Sequence, residues 1–467
     1  MSPAAAPRAA RSVPAAICLI ATLMASPSAG ATPVRLPPYT KTRLPNGLTV
    51  FVMPTRRLPL IELRMVAKTG SADDPPGKEG LASLTADLLT QGAGRRSAQE
   101  IAEDIAFVGG SLESSAGSEQ LVVTCEVLKK DLATGLELFR DVIVSPTFPD
   151  SEFARKKDET MGAIEAQKDD PATVADVELL PFLMGSHPLG HPPIGWRKSV
   201  ESIARDEVVA FHRDHVAPDN ALLAVVGDVD AKSILAALEK AFGAWKPSGR
   251  TAGAGYPPLE KTGGRRVLIV SKPEVTQTQI RLACAAVPRN HPDFYPITVA
   301  NNILGGGFTS RLVNEIRVSQ GLTYGIHSGF DMYRGTGTFA VTTFTRNPTL
   351  RKCIDETLKV MKQLVSQGPS DEELIKAKRY LTGQFPLSLQ APDALAARLL
   401  DIEFYGLEPS YVETFSAKVD AVTMDDVRRV LRTHFCVDDL RLLVVSKPDL
   451  AKAALKGLGP LEVKEME

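Results

Sequence analysis

Gly117-Ser-Glu-Gln-Leu-Val-Val-Thr124 returns in the second half of the chain as Gly335-Thr-Gly-Thr-Phe-Ala-Val-Thr342. Each copy runs into a polar turn and then an amphipathic helical pattern, Asp131 to Val144 and Leu350 to Ser366. The match extends outward. Leu222-Leu-Ala-Val-Val226 pairs with Leu440-Arg-Leu-Leu-Val-Val445, and His215 ahead of the first matches His434 ahead of the second. Leu89-Thr-Gln-Gly92 lies over Leu304-Gly-Gly-Gly307 at a slightly shorter spacing. Solenoid repeats run to roughly 20–50 residues, so a repeat that spans nearly half the chain is far too long for one; drift in the spacing is what loop insertions leave. The chain therefore reads as two homologous domains, 32–245 and 266–467. A linker over 246–265 joins them, with Pro247, Gly249, Gly253, Gly255, Pro257, Pro258, Gly263 and Gly264 clustered in it.

Within the repeat, strand and helix signals mix. Leu48 to Met53 and Leu60 to Val66 read as strands. Ser97-Ala-Gln-Glu100 is a capping box, in which hydroxyl and carboxylate satisfy each other's orphan backbone donors; the helix it opens stops at Gly109-Gly110. Further helices follow Pro149-Asp150, through Glu152 to about Gln167, and run from Pro171 to about Met184. This order predicts an α+β fold in which each domain is a mostly antiparallel sheet covered on one side by helices.

With 467 residues, 44% apolar and 23% charged, the chain is an ordinary globular one. A net charge of −1 and the lack of any long Lys/Arg block give nucleic-acid binding no electrostatic support, and it is set aside. Residues 1–31 read as a secretory signal peptide: Arg8 and Arg11 precede the apolar run Val13 to Ala25, and Ala29-x-Ala31 suits cleavage. That run is too short to span a ~30 Å hydrocarbon core, and no later segment spans a membrane, so the reading is an exported, periplasmic or secreted protein. Cys125, Cys284, Cys353 and Cys436 form no C-x-x-C pair and read as buried free thiols.

Several segments carry a family resemblance: Leu44-Pro-Asn-Gly-Leu-Thr-Val-Phe51, Lys68-Thr-Gly-Ser-Ala-Asp-Asp74 before Gly80-Leu-Ala82, His187-Pro-Leu-Gly-His191, and Phe211-His-Arg-Asp-His215 running on to Gly227-Asp228. The most specific is Ser310-Arg-Leu-Val-Asn-Glu-Ile-Arg-Val-Ser-Gln-Gly-Leu-Thr-Tyr324. In this order the chain resembles the insulinase/pitrilysin (inverzincin) metallopeptidases, in particular their half-length, processing-peptidase-like type. The resemblance implies that the two domains form half of a clamshell.

Active members of that family carry H-x-x-E-H on the helix after the first Gly-Leu-Ala. Two His at i and i+4 face one Zn²⁺, the Glu activates the bound water, and a distant Glu completes the ligands. Here the helix reads Gly80-Leu-Ala-Ser-Leu-Thr-Ala-Asp87, so Ser83 and Asp87 replace the histidines and Ala86 the base. The third ligand belongs just ahead of Ile164, where Gly162 and Ala163 stand. These degenerate positions predict no metal and no cofactor in this chain. The prolines at 188, 192 and 193 keep His187 and His191 off a common helix face, so both read as loop structure. His212 and His215, on a predicted helix, read as scaffold. No G-x-S-x-G elbow occurs, and Gly305-Gly-Gly307 lacks the P-loop lysine.

What survives is Arg317 and Tyr324, at the spacing the family uses. By resemblance, Tyr324 donates to the oxyanion that develops on the scissile carbonyl and Arg317 holds the peptide. The competing reading makes Arg317 a helix cap and Tyr324 packing. A chain without the metal half resembles the non-zinc subunit of heterodimeric members, closing the chamber of a zinc-bearing homologous subunit around an unfolded peptide. The alternatives are a scaffolding paralogue or a stand-alone peptide binder.

Overall fold

The computed structural model describes residues 34–249, 256–260 and 263–465; the expected signal peptide lies outside them. The first half runs β1 (Thr40–Arg43), β2 (Thr49–Pro54), β3 (Leu60–Ala67), α1 (Leu81–Leu88), a short hairpin of β4 (Gly92–Ala93) and β5 (Arg96–Ser97), and α2 (Ala98–Phe107). It continues through β6 (Ser111–Ala116), β7 (Leu121–Leu128), α3 (Leu132–Val144), α4 (Asp150–Gln167) and α5 (Pro171–Met184). α6 (Arg197–Ser202), α7 (Arg205–His215), β8 (Ala221–Gly227) and α8 (Ala231–Phe242) close it.

The second half repeats the plan as β9 (Arg266–Ser271), β10 (Gln277–Ala286), α9 (Phe294–Asn301), β11 (Ile326–Met332), β12 (Gly337–Arg346), α10 (Leu350–Gln367) and α11 (Asp371–Gln384). Then come α12 (Pro392–Phe404), α13 (Tyr411–Ala421), α14 (Met424–His434), β13 (Arg441–Ser446), α15 (Pro448–Leu455) and β14 (Leu461–Glu465).

The sheets have matching six-stranded orders, β1-β2-β8-β3-β7-β6 and β14-β9-β13-β10-β12-β11. Antiparallel pairing dominates; β2 with β8, β9 with β13 and β9 with β14 are parallel. This is the α+β class that the sequence predicts. The Ser97 box closes as expected, Ser97 Oγ accepting from the Glu100 N–H and the Glu100 carboxylate accepting from the Ser97 N–H at 2.8 Å.

Alternation in β3 sends Ile61, Leu63, Met65 and Ala67 into a core with α1, α3 and α8. The opposite face is covered too, and by a helix from the other half. α12 lies on β8 and β3 of the first sheet, while α5 lies on β10 and β13 of the second. Both helices start with Pro in the first turn, at Pro171 and Pro392, and they exchange places across the repeat. Leu395, Leu399 and Ile402 thereby share a core with Phe51, Met53 and Leu222. In the reciprocal contact, Arg281 on β10, 2% exposed, donates to Asp176 Oδ1 at 2.6 Å and to the Ala172 carbonyl at 3.0 Å, both on α5.

The two hairpin tips also meet. Glu119, 4% exposed, accepts from the Arg334 N–H at 3.1 Å and its Nε at 3.1 Å, and the Arg334 guanidinium lies 4.8 Å from the Phe404 ring centroid on α12. Tyr256 of the linker wedges into the same place, so close that a Cβ on Gly335 would lie 2.2 Å from its carbonyl oxygen.

One expectation is corrected. Cys284 and Cys436 form a disulfide, with Cα atoms 6.4 Å apart, and among the described residues Cys125 and Cys353 are the buried free thiols. The two bridged cysteines are far apart in the chain, so only the β10–β13 pairing brings them together.

Candidate functional site

α1 starts where Gly80 adopts φ +102°, a left-handed turn in which a Cβ would lie 2.5 Å from the Ile194 carbonyl oxygen. Asp74 receives the turn, its carboxylate accepting from the Gly80 N–H at 2.7 Å and the Ala82 N–H at 2.8 Å. Burial pushes its pKa up to about 8, against the pull of those two donors. The start of the helix is thus fixed, and α4 packs beside it.

The side chains are not those of a metal site. Ala86 is fully buried and its carbonyl accepts from Ser114 Oγ at 2.6 Å. Ser83 lines a cavity of about 530 Å³ between α1, α5 and the second sheet. Asp87 is half-buried; burial raises its pKa, Lys156 lowers it and Glu159 raises it. Gly162 and Ala163 lie on α4, with open space beyond Gly162. One carboxylate, one hydroxyl and three positions with no donor do not fit a zinc ion, which takes three or four N, S or O ligands.

Among the described residues one group of three metal-type side chains lies within ligand distance, His291, Asp293 and His434. Arg429 occupies that carboxylate, Nη1 donating to Asp293 Oδ2 at 2.9 Å and Nη2 lying 2.7 Å from Oδ1, and His434 Nε2 sits 2.8 Å from Oδ2. Arg429 first and His434 next hold the Asp293 pKa down at about 2 despite its partial burial. The cluster ties α14 to the start of α9, and sequence reasoning gave it only through the repeat of His215 as His434. Four other histidines have structural partners: His187 Nε2 with the Pro257 carbonyl at 2.9 Å, His191 Nδ1 with the Pro192 carbonyl at 3.2 Å, His212 Nε2 with the Ile143 carbonyl at 2.9 Å, and His215 Nδ1 with Thr69 Oγ1 at 3.2 Å.

Arg317 stands in the last turn of the helical segment Val313–Ser319, and Tyr324 on the loop that follows it. Gly321 takes φ +59°, Leu322 plugs the core at 6% exposure, and Thr345 Oγ1 donates to the Leu322 carbonyl at 2.6 Å. Thr343 Oγ1 donates to the Gly325 carbonyl at 2.9 Å. Between these anchors Tyr324 projects outward, 79% exposed. The Arg317 guanidinium lies 5.0 Å from the Tyr324 ring centroid and 5.3 Å from that of Phe308, itself 75% exposed. An exposed ring does little packing, so the packing reading of Tyr324 has no support here. Phe308 and Val318, 71% exposed, widen the patch, and the sequence had not singled them out.

Comparison with known proteins bears on the family and the fold. Residues 59–194 match the family described as insulinase (peptidase family M16), and residues 202–381 match the domain described as the peptidase M16 inactive domain. A protein of Mycobacterium leprae named an uncharacterized zinc protease is 28% identical over 393 residues, covering 83% of this chain and 87% of its own length. A Bacillus subtilis protein of the same description is 24% identical over 404 residues, covering 86% of this chain and 96% of its own. The solved structure of a peptidase M16 inactive domain from Pseudomonas fluorescens is similar at TM-score 0.81 and 29% identity, covering 87% of this chain and 98% of its own. A protease from Helicobacter pylori, at TM-score 0.82 and 21% identity over 88% of this chain and all of its own, shares the fold.

Proposed function

Because the chain belongs to the insulinase (M16) peptidase family, we propose that it is the non-zinc subunit of an exported heterodimeric metallopeptidase, completing the active site of a zinc-bearing homologous partner. The observation that carries this reading is the contrast within one chain: a helix α1 without metal ligands or base, and a half-buried Arg317 beside an exposed Tyr324. The residues at positions 83, 86, 87, 162 and 163 do not fit zinc, so in this reading the chain's own residues act on the peptide. The Tyr324 hydroxyl donates to the oxygen that becomes negative as the scissile carbonyl turns tetrahedral, and the Arg317 fork holds a neighbouring carbonyl or carboxylate. An unfolded peptide adds as a strand at a sheet edge, and β6 and β11 end the two sheets. Export rests on the reading of residues 1–31.

The test is reconstitution with a partner that carries H-x-x-E-H. The pair should seal an interface larger than the ~1,600 Å² of a standard complex and elute as a heterodimer. In that complex Tyr324→Phe should lower kcat about 10²-fold with assembly intact, while Arg317→Lys raises KM more than it lowers kcat. Full activity of Tyr324→Phe would leave an inactive scaffolding or peptide-binding paralogue as the better description.

A further inference from the structure

A cavity of about 880 Å³ opens between the C-terminal end of α5, the linker at Pro257 and Pro258, and the β9/β14 edge of the second sheet. Neither Arg317, Tyr324 nor any degenerate metal position lines it. Arg441, the first residue of β13, does, at 7% exposure, and its Nε and Nη1 are buried with no hydrogen-bond partner. Three carboxylates nearby are engaged elsewhere, Glu178 with Lys464 at 2.7 Å, Glu462 with Arg266 at 3.4 Å, and Asp439 accepting from the Gly264 N–H at 3.1 Å, while the exposed Glu260 of the linker also lines the cavity.

The strand register sharpens the point. Arg441 stands directly beside Arg266 across the parallel β13/β9 pair, and both guanidinia lie against the Phe182 ring, 5.6 and 5.9 Å from its centroid. The matching pair in the first half is Leu222 beside Thr49, with Leu222 in the core. Like charges in register repel, and a buried cation without a partner is costly. Burial and Arg266 both lower the proton affinity of Arg441, with Asp439 opposing. An apolar residue fits this place in the fold, so the arginine has to be explained by something that binds it.

We propose that this cavity is an anion site for an organic carboxylate on an apolar body. A carboxylate meets the planar guanidinium of Arg441 two oxygens to two N–H groups, with Arg266 beside it. Phe182, Leu268 and Pro258 receive the hydrocarbon part, which favours such a ligand over free phosphate, whose charge is everywhere hydrated. The site is independent of the peptidase reading.

Calorimetry on the intact chain tests it, with N-acetylleucine as probe, N-acetylleucinamide as the uncharged control and inorganic phosphate as the bare anion. N-acetylleucine should bind at least about tenfold more tightly than either. Arg441→Leu, which restores the first-half pattern, should abolish that binding and raise Tm without ligand. Arg266→Gln, at a more exposed position, should keep the fold and weaken binding by about tenfold. Equal binding of the acid and the amide, tighter binding of phosphate, no binding by the wild type, or unchanged binding by Arg441→Leu would each overturn the assignment. So would binding that emerges only in Glu260→Gln, since the exposed linker carboxylate of Glu260 would then be the natural partner of Arg441.

Discussion

The two halves share a sheet order and differ at matched positions inside it. Glu62 in the first half stands where Gln279 stands in the second, Ala67 where Cys284 stands, and Leu222 where Arg441 stands. Two other regions differ more. The first half has α1 and α4 without a set of side chains that fits a metal; in the second, the Arg317 guanidinium lies 5.0 Å from the ring centroid of the exposed Tyr324. The difference teaches where each property resides. Apolar burial that holds a sheet is spread over dozens of side chains, so the frame survives substitution. A metal site rests on a handful of donors and vanishes with them.

Making one half resemble or lose the other tests this comparison. The largest effect should come from separating them. The fragment 32–245 alone should show no cooperative melting, because without α12 the face carrying Phe51, Met53, Leu222 and Val226 is bare. At ~1.5–3 kcal/mol for each large apolar side chain, those residues rival the ~5–15 kcal/mol that holds a whole domain. Co-expression of 266–467 should restore the transition, and a sharp melt of the isolated fragment would show that the exchanged helices are dispensable.

Next in size is the disulfide. Replacing Cys284 and Cys436 together by Ala gives the second half the alanines that the first carries as Ala67 and Ala217. Urea denaturation should report a loss of ~2–4 kcal/mol, with no further change on adding reductant. Identical midpoints for variant and wild type would remove the bridge from the stability of the fold.

The smallest effect concerns Glu62, 3% exposed beneath α12. Burial raises its pKa from 4.5 to about 8, with Arg64 opposing and Glu126, Asp393 and Glu113 reinforcing. The unfolded chain releases this proton first as pH rises while the folded chain keeps it, so stability should fall between pH 4.5 and 8. Glu62→Gln, copying Gln279, should flatten that slope and stabilise the protein at pH 8 by on the order of 1 kcal/mol. A wild-type Tm that holds level over this window would contradict the account.

Much of this was legible in the sequence because the signals are local. The repeat is a strand, a turn and a helix in one run; the Ser97 box and the stop at Gly109 are a few residues wide; and Ser83, Ala86 and Asp87 are read within about one helical turn. What stayed hidden depends on long-range pairing. Cys284 and Cys436 meet only through the second sheet, and His291, Asp293 and His434 only through the packing of α14 on α9. The apolar faces of α5 and α12 announce burial without saying against which sheet. Matching the repeat by its hydrophobic run aligned Leu222 with Leu440, whereas the strand register sets Leu222 opposite Arg441 and so exposes the odd arginine.

The exchange of α5 and α12 sets a timetable for synthesis. The chain is made from its N-terminus, so the first sheet can be complete at Gly227 while the helix that covers its second face ends only at Phe404. Throughout the translation between those two points, an apolar sheet face has no cover, and such surfaces draw neighbouring chains into aggregates. Secretion in an unfolded state would postpone that hazard until both halves have arrived together.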